Sequence, residues 1–106
     1  MRVAYISGPY HGDTIWETVQ NIRLAEAVAL DYWKKGYAVI CPHKNSALFD
    51  GAAPESIWIA GDLEILSRCD VIVMIAGWRK SKGAQLELER ARELGLEVIY
   101  DDVVGE

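Results

Sequence analysis

The chain has 106 residues, about half of them apolar and a quarter charged, with a net charge of −5. That length supports one domain with a real core but not two, and the acidic balance argues against a binder of duplex nucleic acid. No apolar run approaches the roughly 18 residues needed to span a bilayer, so neither a membrane span nor a secretory leader is expected, and the expected compartment is the cytoplasm.

"RVAYIS" (2–7) reads as the first strand. The next stretch, "SGPYHG" (7–12), lacks the GxGxxG dinucleotide fingerprint. Its glycines suggest a tight turn that lets backbone approach a ligand beside Ser7, Gly8 and Pro9, with Tyr10 and His11 at the rim. A first helix starts near "DTIWE", where Thr14 and Glu17 fit a capping box, and runs to Lys35 before Gly36. "YAVIC" (37–41) is the second strand, and "PHKNSALFDGAAP" (42–54) is an irregular segment long enough to suggest function. His43 within it suits a substrate contact or a loop hydrogen bond equally.

A second helix follows Pro54 and reaches about Arg68. "DVIVMIA" (70–76) is wholly apolar and therefore a central strand, with Asp70 structural at its start. The loop "GWRKSKG" (77–83) crowds Arg79, Lys80 and Lys82 around Ser81; a third helix runs from near Gly83 to Gly95, and "LEVIY" (96–100) is the fourth strand. Cys41 and Cys69 sit beside apolar strand residues and read as buried, reduced thiols, and no ligand cluster for a metal is present. Strand–helix alternation implies an α/β domain with a parallel sheet and helices on both faces. Ligands then bind at the carboxyl ends of the strands, which selects "SGPYHG", "PHKNS", "GWRKSKG" and "DDVVGE" (101–106).

Helical projection separates the acids of the third helix. Gly83, Ala84, Ala91 and Leu94 fall within roughly 60° of Glu87, whereas Glu89 and Glu93 share the opposite side with Gln85 and Arg92. Glu87 thus lies in the small, apolar stripe that packs on the sheet, where a lone carboxylate is costly unless paired, bonded or used. Gly83 would leave space beside it. In the second helix Asp62 falls among Trp58, Ile59, Ile65 and Leu66 while Glu64 points away. Two inward acids beside one central strand favour a shared site over a purely structural pairing.

"KSKGA" places Ser81 and the small residues Gly83 and Ala84 at a helix start, an anion site by geometry, although a charged surface loop would look the same. Tyr5 reads as a core residue whose hydroxyl needs a buried partner. Trp16, Trp33 and Trp58 read as packing, and Trp78, in the loop after strand three, as able to stack on a base.

The motifs "YISGPYHG", "GDLEILSRCDVIVM" and "GWRKSKGAQLELERA" resemble the nucleoside 2-deoxyribosyltransferase-like proteins, in that family's order and over nearly the whole chain. This family includes the 2′-deoxynucleoside 5′-monophosphate N-hydrolases. The resemblance implies a flavodoxin-like three-layer fold with a four- to five-stranded parallel sheet, no cofactor, and a homodimer or larger assembly. It also implies Glu87 as the nucleophile at the sugar's anomeric carbon, Asp62 on the sugar hydroxyls and Tyr5 against the nucleophile. Serine at position 81, where transferases tend to carry aspartate, implies a 5′-phosphate ligand. Pro9 and His11 depart from the hydrolases, which carry serine and arginine there, and "GP" looks more like the transferases. The expected activity is cleavage of the N-glycosidic bond of a (deoxy)nucleoside 5′-monophosphate. The alternatives are base exchange on free deoxynucleosides and a non-catalytic nucleotide sensor.

Overall fold

The β1 strand (Val3–Ser7) alternates its side chains between two helical layers, with Ala4 and Ile6 on one face and Tyr5 on the other. In the computed structural model, which describes residues 1–102, it is followed by α1 (Ile15–Lys34), β2 (Ala38–Ile40), α2 (Pro42–Asn45) and α3 (Glu55–Leu66). Then come β3 (Val71–Met74), a 3-10 turn at Trp78–Lys80, α4 (Lys82–Leu94) and β4 (Glu97–Tyr100). Of the expected ligand-facing segment 101–106, residues 103–106 lie outside the described residues.

All strand pairs are parallel, in the order β2-β1-β3-β4. This is the flavodoxin-like order with four strands, one α helix layer on each face. The wholly apolar β3 is central and every one of its residues is buried. On one face Ala25, Ala29 and Tyr32 of α1 cover Ala4, Ile6, Val71 and Val73. On the other, Ala84, Leu88 and Ala91 of α4 meet Tyr5, Ile72 and Met74, with Leu66 of α3 and Cys69 alongside. Alanines at these contacts let the helices approach the sheet closely. From β1 the chain passes to β2 on one side, and from β3 to β4 on the other, which opens a crevice at the carboxyl ends of these two neighbouring strands.

Local chemistry sets the element ends. Thr14 Oγ1 accepts from Glu17 N at 3.1 Å, and the Glu17 carboxylate turns back to Asp13 N at 2.7 Å, one residue beyond the usual capping box. Gly95, at φ 75°, closes α4 in the left-handed region. Asp70 Oδ2 accepts from Val3 N at 2.8 Å, tying the amino ends of β1 and β3 together away from the crevice.

Several expectations need correction. The segment 42–54 opens with the short helix α2, started by Pro42 at its first position. Cys41 is only half-buried, because β2 is an edge strand. Trp16 and Trp33 are 71% and 54% exposed rather than packed. A 20-residue helix spans about 30 Å, roughly twice the five-residue strand beneath it, so its first turn overhangs the sheet. Leu94, in the last turn of α4, is likewise exposed.

Gly8 is constrained by packing. A Cβ there would stand 2.3 Å from Ile75 Cγ1, on a side chain that is itself buried. Gly8→Ala should therefore destabilise by about 1–3 kcal/mol, read as a lowered midpoint in thermal unfolding.

Candidate active site

The period of two that buries Ala4 and Ile6 under α1 turns Tyr5 and Ser7 together toward α4. Both are fully buried, and both hydroxyls end on one carboxylate. Tyr5 Oη donates to Glu87 Oε2 and Ser7 Oγ to Glu87 Oε1, each at 2.7 Å. Burial is the largest influence on Glu87 and raises its pKa; the two hydroxyl bonds lower it, the Asp62 charge raises it, and the carboxyl is pushed up to about 7. The Tyr5 phenol is driven far upward by burial and then by the Glu87 charge, so it stays protonated and keeps donating. Asp62, half-buried on α3, is also raised by burial.

Above this triad lies a cleft of about 640 Å³ at the carboxyl ends of β1 and β3. Glu87, Ala84 and Gly83 of α4 form one side, Trp58, Ile59 and Asp62 of α3 another. The turn Gly8–His11, with Pro42 and His43, and the basic loop Lys80–Lys82 complete the walls. A Cβ on Gly83 would meet only Ser81 Oγ, at 3.9 Å, so open space adjoins Glu87 there. Glu89 and Glu93 are exposed on the far side of α4.

Ser81 is the N-cap of α4, its Oγ accepting from Ala84 N at 3.1 Å. That bond uses a lone pair and leaves the hydroxyl hydrogen to donate elsewhere. The Lys82 and Gly83 amides belong to the first turn, which has no carbonyl partners within the helix. Lys80 and Lys82 add positive charge at the same wall. His43 is buried, with Nε2 2.8 Å from Pro9 O. A carbonyl only accepts, so Nε2 carries the hydrogen and Nδ1, which has no partner among the described residues, is an acceptor in the neutral ring. Burial lowers the pKa of this ring and favours that neutral form.

The structure brings Gly8, Pro9, His11, His43, Asp62, Ser81, Gly83, Ala84 and Glu87 to one cleft. Ser7 lies beneath it rather than in its wall, with its hydroxyl committed to Glu87. Trp78 does not line it: the left-handed turn at Gly77 (φ 91°) sends the indole to the other side, against Tyr100 at 5.7 Å and under the Arg79 guanidinium. The indole that does line the cleft is Trp58, packed on Phe49 at 5.6 Å between centroids. Trp58 stands four residues before Asp62, so helical spacing carried that signal. Asp50 and Glu55 also reach the cleft mouth, and no local pattern marks them.

A four-stranded parallel sheet in the order β2-β1-β3-β4, with helices on both faces and a crevice at its switch point, defines the class of protein: a flavodoxin-like α/β domain. The chain belongs to the family described as a domain of unknown function (DUF4406), whose model matches residues 2–100. Among solved structures it is similar to the 2-deoxyribosyltransferase from the psychrotolerant bacterium Bacillus psychrosaccharolyticus, described as a biocatalyst for nucleoside synthesis. That likeness has a TM-score of 0.68 and 23% identity, over 98% of this chain and 74% of that one. It is also similar to a 2-desoxiribosyltransferase from Leishmania mexicana, with a TM-score of 0.59 and 20% identity, covering 94% of this chain and 63% of the other. No curated protein matches the chain. Among the described residues no helix is long and apolar enough to cross a membrane, and no group of three or more side chains could hold a metal ion.

Proposed function

We propose that this domain cleaves the N-glycosidic bond of a (deoxy)nucleoside 5′-monophosphate, with Glu87 as the nucleophile. The observation that carries the reading is the Glu87 carboxylate, held at both oxygens by Tyr5 and Ser7 yet facing an open cleft beside Asp62. A carboxylate so placed can capture an oxocarbenium-like centre. The C1′–N bond breaks with its electron pair leaving on the base, which takes up a proton, while a bond forms between C1′ and a Glu87 oxygen. Water then attacks C1′ as the bond to Glu87 breaks with its electron pair on the carboxylate, and the proton that water loses balances the one the base took up, releasing sugar phosphate. Tyr5 and Ser7 fix the rotamer of Glu87, and Asp62 holds sugar hydroxyls. His43, buried and bonded through Nε2 to Pro9 O, stiffens the Gly8–His11 turn beside the substrate. Ser81, the first-turn amides of α4 and the flanking lysines suit a 5′-phosphate.

Base exchange on free deoxynucleosides is the second reading, favoured by Pro9 after Gly8 and by the two similar folds, both named as deoxyribosyltransferases. Chromatography of free base from deoxynucleoside monophosphates and from deoxynucleosides tests both, and adding a second free base tells transfer from hydrolysis. Nucleotide binding with no base released from any substrate would leave only a sensor. A homodimer or larger assembly and a cytoplasmic location belong to the same reading, and Ile57, exposed on α3, is an apolar side chain such an interface would cover.

Position 81 offers a direct test. Ser81→Asp keeps an N-cap acceptor but adds a negative charge at the proposed phosphate site. It should retain thermal stability while reversing a preference for nucleotide over nucleoside, measured as the ratio of the two kcat/KM values. An unchanged ratio would place the phosphate elsewhere.

A further inference from the structure

One rim of the cleft is built differently from the rest. The carbonyl of Tyr10 is fixed to α1 by Asn21 Nδ2, at 3.0 Å. Its phenol reaches across to the segment between α2 and α3, where Oη accepts from Leu48 N and donates to Asp50 Oδ1, both at 2.8 Å. His11, the next residue, has Nδ1 3.3 Å from Asp50 Oδ2 and Nε2 3.2 Å from Glu55 Oε2, at the first residue of α3. Two adjacent side chains of the β1–α1 turn therefore hold both ends of residues 48–55. The held segment is not relaxed: Leu48 sits at φ 63°, in the left-handed region that a Cβ disfavours. Phe49, beside it, packs on Trp58, which lines the cleft.

We propose that Tyr10 and His11 are positioning residues, a two-point latch that pins the 48–55 strap against the β1–α1 turn and so sets the Trp58 wall of the cleft. The two arms are unequal. His11 and its carboxylates are largely exposed, and such pairs contribute little. Tyr10 is the stronger arm, because one oxygen satisfies a backbone amide and a carboxylate together and is tied to a long helix.

Amide hydrogen exchange on the full chain tests this. In Tyr10→Phe, exchange over residues 46–52 should quicken about five- to tenfold while the amides of β1, β3 and α1 stay at their wild-type rates. His11→Gln should quicken the same amides less than Tyr10→Phe does. Asp50→Ala, which spares the phenol and its bond to Leu48, covers the case in which Tyr10→Phe does not fold, and should again quicken only that segment. Unchanged exchange over 46–52, or faster exchange spreading into β1 and β3, would overturn the latch. The kinetic readout rests on the proposed activity: Tyr10→Phe should raise KM for a deoxynucleoside monophosphate several-fold with kcat within about twofold. A fall in kcat at constant KM would overturn the positioning part. Exchange needs no turnover, so an inactive wild type with a latch-dependent strap would overturn the activity and leave the latch standing.

Discussion

Replacing Glu87 with glutamine should lower kcat/KM for base release on the order of a thousandfold or more, with the fold retained. The substitution keeps the shape of the side chain and most of its bonds. Tyr5 Oη can still donate to the amide oxygen, and the Ser7 hydroxyl can turn and accept from the amide nitrogen. What disappears is the anionic oxygen that would bond to C1′. Glu87→Ala should be as inactive but less stable. It leaves two fully buried hydroxyls without an acceptor, at a cost of about 1–3 kcal/mol each, unless water enters from the cleft. Parallel measurements of base release and thermal unfolding on both variants separate chemistry from folding. Wild-type turnover in Glu87→Gln would remove the nucleophile from the mechanism.

The second large effect concerns pH. The Glu87 carboxyl rises from an ordinary 4.5 to about 7 in the folded protein, chiefly through burial. The native state therefore binds more protons than the unfolded chain between those values, and stability contributed by protonated Glu87 is lost as pH rises from about 4.5 through about 7. Above that window the buried charge costs about 3 kcal/mol. Glu87→Gln, neutral at every pH, should unfold at a clearly higher temperature than wild type at pH 8, by roughly 15 °C, and at nearly the same temperature at pH 4.5. The activity should run the opposite way, since only the ionised carboxylate attacks: base release should climb with pH toward a plateau above about 7. A wild type stabilised at pH 8 relative to Glu87→Gln would contradict the buried, unpaired charge.

The same carboxylate bears on how far the sequence could be read. Its inward position followed from helical period, because Glu87 shares its projection with Ala84 and Ala91, which are buried, while Glu89 and Glu93 project to solvent as they do in the structure. Asp62 followed by the same logic on α3, and the alternating strands and helices gave the sheet. Each of these depends on residues within a turn or two of one another. Trp78 misled because its loop position was legible but the left-handed turn at Gly77 that aims it was not.

By itself the amino-acid order determined the α/β class, the central place of β3, the carboxyl-end location of the cleft, and which acids of each helix face inward. Tertiary structure alone decided who meets whom across the chain. It spent the Ser7 hydroxyl on Glu87, 80 positions away, put Trp58 rather than Trp78 in the cleft wall, and joined Tyr10 to Asp50 across 40 positions. The physical reason is periodicity. Backbone geometry repeats every two or 3.6 residues and fixes the direction of a side chain relative to its own element. Which partner waits in that direction depends on how separate elements dock, and no local repeat encodes that.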